Sequence, residues 1–139
     1  LACSEFGVWH EDHMMDKLTT YAPLIARILI GILFLAAGAG KLGDVAGFTG
    51  YLTSGGLPAF LAWPSILFEI VLGLAIIAGY QVRVMALLGA GFCIVSAALY
   101  HFAPADQMQM TMFLKNLAIA GGFLLLAANG AGAVAVDKS

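Results

Sequence analysis

Charge is what this sequence is short of. Of its 139 residues only 10% are Asp, Glu, Lys or Arg, against roughly a quarter in a soluble domain. That excludes an ordinary water-soluble enzyme domain and a charged disordered chain. The net charge of −2 leaves no basic face for a nucleic-acid partner. Cysteine is scarce too: Cys3 and Cys93 are too few for a disulfide framework, and Cys93, inside an apolar run, reads as a packing residue. There is no G-x-x-x-x-G-K-[ST] phosphate loop, no C-x-x-C and no H-E-x-x-H. What the chain has in quantity is apolar surface, 62% by residue, with a mean hydropathy of +0.98. That composition belongs in a lipid bilayer.

Polar residues gather at the start. Met14 and Met15, followed by Asp16-Lys17, precede the first apolar run. They mark a natural translation start and make residues 1–14 a non-native or disordered leader. His10 and His13 stand three apart, a metal-compatible spacing, though a disordered tail is the plainer reading. No cleavable signal peptide is evident.

A membrane-spanning helix needs about 20 mostly apolar residues, and four stretches qualify: 21–40, 58–80, 81–101 and 108–129. The chain is therefore expected to be all-α, an integral membrane four-helix bundle. Between spans one and two, residues 44–53 are Gly-rich and amphipathic. They predict a short interfacial helix, capped by Asp44 and ended by Gly55-Gly56. Spans two and three meet in a tight turn at Gly79-Tyr80-Gln81. Pro64 is placed to kink span two. Small-residue pairs (Ala36 with Gly40, Ala75 with Gly79, Gly89 with Cys93) suit close helix approach. An even span number puts both termini on one side. That side holds Lys17, Arg83 and Lys138 with Arg27 nearby, while the other holds only Lys41. The positive-inside rule then predicts cytoplasmic termini.

Three charges fall inside the spans, where each costs several kcal/mol and normally faces the bundle interior. With a 1.5 Å rise per residue and a core about 30 Å thick, Arg27 lies about 9 Å deep and Glu69 about 16 Å. Lys115 lies about 18 Å deep on the same scale, nearly level with Glu69. These depths predict that Glu69 pairs with Lys115, Arg27 or both. The bland reading is a structural salt bridge that fixes helix register. The sharper one is a ligand or proton site, because two cations and one anion leave a spare positive charge that a quinone being reduced or a small oxyanion would satisfy, the alternative being a Lys115 kept neutral by desolvation. A second polar set falls at the opposite membrane face from the termini: Lys41 closes span one, His101 ends span three, and Asp106, Gln107 and Gln109 open span four, with Asn116 following Lys115. Lys41, His101 and Gln107 suit a pocket mouth leading down to the charges, with His101 as a proton carrier. Met85, Met108, Met110 and Met112 read as packing residues rather than a copper site. Haem ligation by His101 is a minor alternative.

Several segments, taken in order, resemble the DoxX family. The first runs from Arg27-Ile28-Leu29 to Gly38-Ala39-Gly40-Lys41-Leu42-Gly43-Asp44. Gly55-Gly56-Leu57-Pro58, Phe68-Glu69 and Leu72-Gly73-Leu74 come next, then Gln81-Val82-Arg83, Tyr100-His101-Phe102 and Gln107-Met108-Gln109-Met110. Phe113-Leu114-Lys115-Asn116-Leu117 completes the set. The resemblance covers about residues 20–137. It implies a small four-helix protein of the bacterial inner membrane, and it implies the fold more strongly than the reaction. The family takes its name from a subunit of a thiosulfate:quinone oxidoreductase, and other members are linked to redox-stress complexes or to methylamine dehydrogenase maturation. On that basis Glu69, His101 and Lys115 are the candidate catalytic residues. Arg27, Lys41, Gln107 and Asn116 are the candidate cofactor-binding residues, quinone is the candidate cofactor, and no metal is expected. The competing expectations are an accessory subunit that packs against other membrane subunits or a second copy, and a small-solute or ion pathway.

Overall fold

The computed structural model describes the backbone of residues 2–137 and the side chains of residues 11–137. All regular structure among the described residues is helical. The order is α1 (Ala2–Leu42), α2 (Val45–Ser54), a 3₁₀ turn (Ala59–Leu61), α3 (Ala62–Ala78), α4 (Val82–Ser96), a π-helical turn (Ala97–His101) and α5 (Gln107–Asn129). Four segments are long and apolar enough to cross a membrane: Glu11–Leu42, Ala59–Ala78, Val82–His101 and Gln107–Asn129. The helical backbone of α1 begins at Ala2, within the stretch read as a leader. The side chains of Cys3 and His10, and residue Lys138, lie outside the described residues.

Caps set the boundaries. Asp44 accepts a hydrogen bond from Gly47 N at 2.9 Å and so starts α2, as its sequence position implies. Asp106 accepts from Met108 N and Gln109 N and starts α5. Gly79 ends α3 in the left-handed region at φ 82°, where a Cβ would be strained. Gly79 N and Tyr80 N both donate to Ala75 O, which makes the tight turn into α4. Pro64 falls in the first turn of α3, where the ring removes no intrahelical bond. The change of helix geometry in span two is the 3₁₀ turn ahead of it.

The helices pack as two antiparallel pairs, α1 with α3 and α4 with α5. The first pair closes on glycine. A Cβ on Gly31 would lie 2.8 Å from Gly73 O, and a Cβ on Gly73 would lie 2.8 Å from Gly31 O. The expected Ala36–Gly40 approach is not the contact used: nothing lies within 4 Å of a Cβ at Gly40. Gly89 does serve close approach, seating the Phe123 ring of α5. The core between the pairs is built from Phe34, Leu72, Ile76, Ala86, Ala90 and Phe123, all buried, with Phe34 edge-on to Phe123 at 5.4 Å. Large side chains such as Leu29, Leu67, Val71, Leu87 and Leu125 are instead exposed. Among the described residues the buried charges are Arg27 and Glu69. Aliphatic outside and charged inside is the arrangement a bilayer imposes.

After Gly130 the chain turns back beneath the bundle. Val136 N donates to Ala78 O at 3.0 Å and Asp137 N to Gly79 O at 3.1 Å. Arg83 Nη1 reaches Ala127 O and Ala128 O and satisfies the carbonyl end of α5.

Candidate functional site

A cavity of about 440 Å³ opens at the end of the bundle remote from the termini, walled by residues of all five helices and the π turn. Its polar lining is Lys41 of α1, Tyr51 of α2, Ser65 and Glu69 of α3, Ser96, Tyr100 and His101 of the third span, and Lys115 and Asn116 of α5. The rest is largely apolar, including Phe48 and Leu52 of α2, Phe92 and Ile119. A mostly apolar concavity of this size with a few convergent polar groups is the usual form of a small-molecule site.

The central interaction is an ion pair. Lys41 Nζ donates to both carboxylate oxygens of Glu69, at 2.6 and 2.7 Å. Glu69 is 3% exposed, so its charge is compensated inside the protein, as a buried charge must be. The pairing expected from depth, Glu69 with Lys115 or Arg27, is not the one formed. Because α3 proper starts at Ala62, Glu69 sits about two turns from its α2-side end. The Lys41 stem reaches in along apolar surface to meet it, passing over the Phe48 ring at 5.0 Å. Lys115 lines the same cavity, but it is exposed and not buried in the bundle interior as its place within the span predicts, and it has no hydrogen-bond or ion-pair partner among the described residues. With all three ionised, Lys41, Lys115 and Glu69 leave the cavity one positive charge in surplus.

The lid is α2. Tyr100 Oη donates to Leu52 O at 2.7 Å, and the Tyr100 ring stacks on Tyr51 at 4.8 Å and seats against Gly55, where a Cβ would come within 2.3 Å. Burial, and then the Tyr100 ring beside it, pushes the Tyr51 phenol above its ordinary range, so the lid residue is neutral at physiological pH. Third-span geometry brings Tyr100 and His101 to the cavity together. Consecutive residues of an α-helix point about 100° apart, and the wider π turn at Ala97–His101 keeps His101, five residues on, beside Ser96 in the lining.

Two expected site residues lie elsewhere. Arg27 is fully buried at the other end, because α1 carries it about 21 Å from Lys41. Its Nη2 donates to Val134 O of the returning C-terminal segment, while Nε and Nη1 have no partner. Gln107 is exposed at the start of α5 and does not line the cavity. The glutamine that matters is two residues on: Gln109 Oε1 lies 2.8 Å from His101 Nδ1. Sequence reading placed Gln109 at the head of span four without a role. Tyr100, Ser96 and Cys93 also went unselected, and only the π turn and the α2 lid give Tyr100 its place. No group of three or more potential metal ligands exists among the described residues.

Comparisons with known proteins agree with this architecture. A family model described as DoxX matches residues 22–102, more than half of the chain. The inner membrane protein YqjF of Escherichia coli (strain K12) is 45% identical over 124 residues, covering 89% of this chain and 95% of that protein. The inner membrane protein YphA of the same organism is 32% identical over 122 residues, covering 83% and 87%. No solved structure matches.

Proposed function

The chain belongs to the DoxX family, and from that premise we propose that its cavity holds the headgroup of a quinone and that the protein has a quinone-linked redox role in the bacterial inner membrane. The observation that carries this reading is the unpartnered Lys115 in a cavity of otherwise balanced charge. A neutral ring suits the apolar walls, and its oxygens gain negative charge on reduction, which the surplus cation at the cavity wall stabilises. The electron-accepting chemistry is the quinone's own. The chain's part is to hold the ring between the Phe92 and Ile119 side of the wall and the α2 lid, with Lys115 and the Asn116 amide beside a ring oxygen. Both oxygens of Glu69 are engaged by Lys41, which leaves His101 as the group to exchange protons.

In this reading the termini are cytoplasmic, since Lys17 and Arg83 stand at their end and the cavity opens toward the periplasm. A second reading is supported by the Lys41–Glu69 pair itself. It ties α1 to α3, as a purely structural bridge in an accessory subunit of a larger membrane complex would. Mass spectrometry of the gently purified native protein separates the two. A near-stoichiometric quinone is the result expected here. A co-purifying large complex without quinone would make the chain an accessory subunit.

A further inference from the structure

His101 ends the π turn, and a short, hydrogen-bonded loop holds it against α5. Ala103 N donates to His101 O at 3.0 Å, and Asp106 N donates to Ala103 O at 2.9 Å. Asp106 then accepts from Gln109 N at 3.2 Å. The backbones of the two residues are therefore fixed relative to one another before their side chains meet. Where they meet, Gln109 Oε1 faces His101 Nδ1 at 2.8 Å. An amide oxygen only accepts hydrogen bonds, so with the Gln109 amide in this orientation the contact calls for a proton on Nδ1. The other nitrogen, Nε2, has no hydrogen-bond partner among the described residues, and the ring lines the cavity.

We propose that Gln109 is a positioning residue that holds neutral His101 in its Nδ1–H form, so that Nε2 presents a lone pair as the proton-exchanging atom of the cavity. Which ring nitrogen bears the proton is decided by the hydrogen bond that the other makes. Free imidazole favours the Nε2–H form, so the contact with Gln109 works against the intrinsic preference and holds the unprotonated nitrogen ready to accept. The inference rests on the reading of the cavity as a proton-handling ligand site, and supplies the atom through which protons pass.

The test is nitrogen NMR on the full chain in lipid nanodiscs, with ¹⁵N-labelled histidine, at a pH where the imidazole is neutral. No ligand is added. His101→Gln identifies the His101 signals. The expected result is Nδ1 in the protonated range and Nε2 in the unprotonated range. Gln109→Leu should move most of the population to Nε2–H, and Gln109→Glu, whose carboxylate also only accepts, should restore the Nδ1–H form. An Nε2–H ring in the wild type overturns the proposal, as does an Nδ1–H ring that Gln109→Leu leaves unchanged. Because no quinone is present, a failure here is separate from a failure to bind quinone, which would count against the reading of the cavity instead.

Discussion

Glu69 has both of its oxygens on one amine, and removing that amine is the costly change. Lys41→Met leaves a carboxylate without a partner in an apolar wall. It should lower stability by about 2 to 3 kcal/mol, somewhat under the cost for a fully buried pair because Lys41 is itself 27% exposed. Glu69→Gln should cost less, since the freed amine can turn to solvent. The double change Lys41→Met with Glu69→Leu should recover most of the loss, because it removes both charges. Urea unfolding in mild detergent checks all three, and a double variant as unstable as Lys41→Met would contradict the account. Glu69 and Lys115 were legible in sequence because an ionisable residue inside an apolar run is rare. The partner of Glu69 was not. Lys41 stands at the end of a span, and only the register of α1 on α3 shows which way its stem runs.

At the scale of elements, glycine decides how near α1 comes to α3. Gly73→Ala would push a Cβ to 2.8 Å from Gly31 O, a contact with backbone that cannot rotate away. A loss of about 1 to 3 kcal/mol is expected. Gly40→Ala meets nothing and should be neutral or gain about 0.5 to 1 kcal/mol from lower chain entropy in the unfolded state. Thermal unfolding of the two variants side by side distinguishes them, and equal effects would contradict the packing. Gly55→Ala should displace the Tyr100 ring, loosen α2 from the π turn and reduce the melting temperature. The interfacial helix itself was readable to within a residue, since Asp44 and Gly55 are strong local start and stop signals. The Gly31–Gly73 contact was not. Small residues recur throughout these spans, and spacing within one helix does not reveal which of them a neighbour meets.

Over the whole molecule, four apolar runs were enough to define a membrane bundle, because few other arrangements satisfy a backbone in lipid. The cavity is a property of the assembly that no run of sequence carries: it needs side chains of α1, α3, α4 and α5 brought together and α2 folded across the mouth. The positive-inside bias predicts that Lys17 and Arg83 face the cytoplasm. A cysteine introduced at Thr53 should then react with a membrane-impermeant thiol reagent added to intact cells, whereas one at Gln81 should not; the reverse pattern would invert the topology. The central claim is that the surplus charge of Lys115 makes this cavity a quinone site. It is tested most directly by titrating a short-chain quinone into the purified protein in nanodiscs, beside Lys115→Met. Saturable binding by the wild type, weakened at least about tenfold in the variant (about 1.4 kcal/mol), is the result predicted. No binding by the wild type, or equal binding by both, would contradict it.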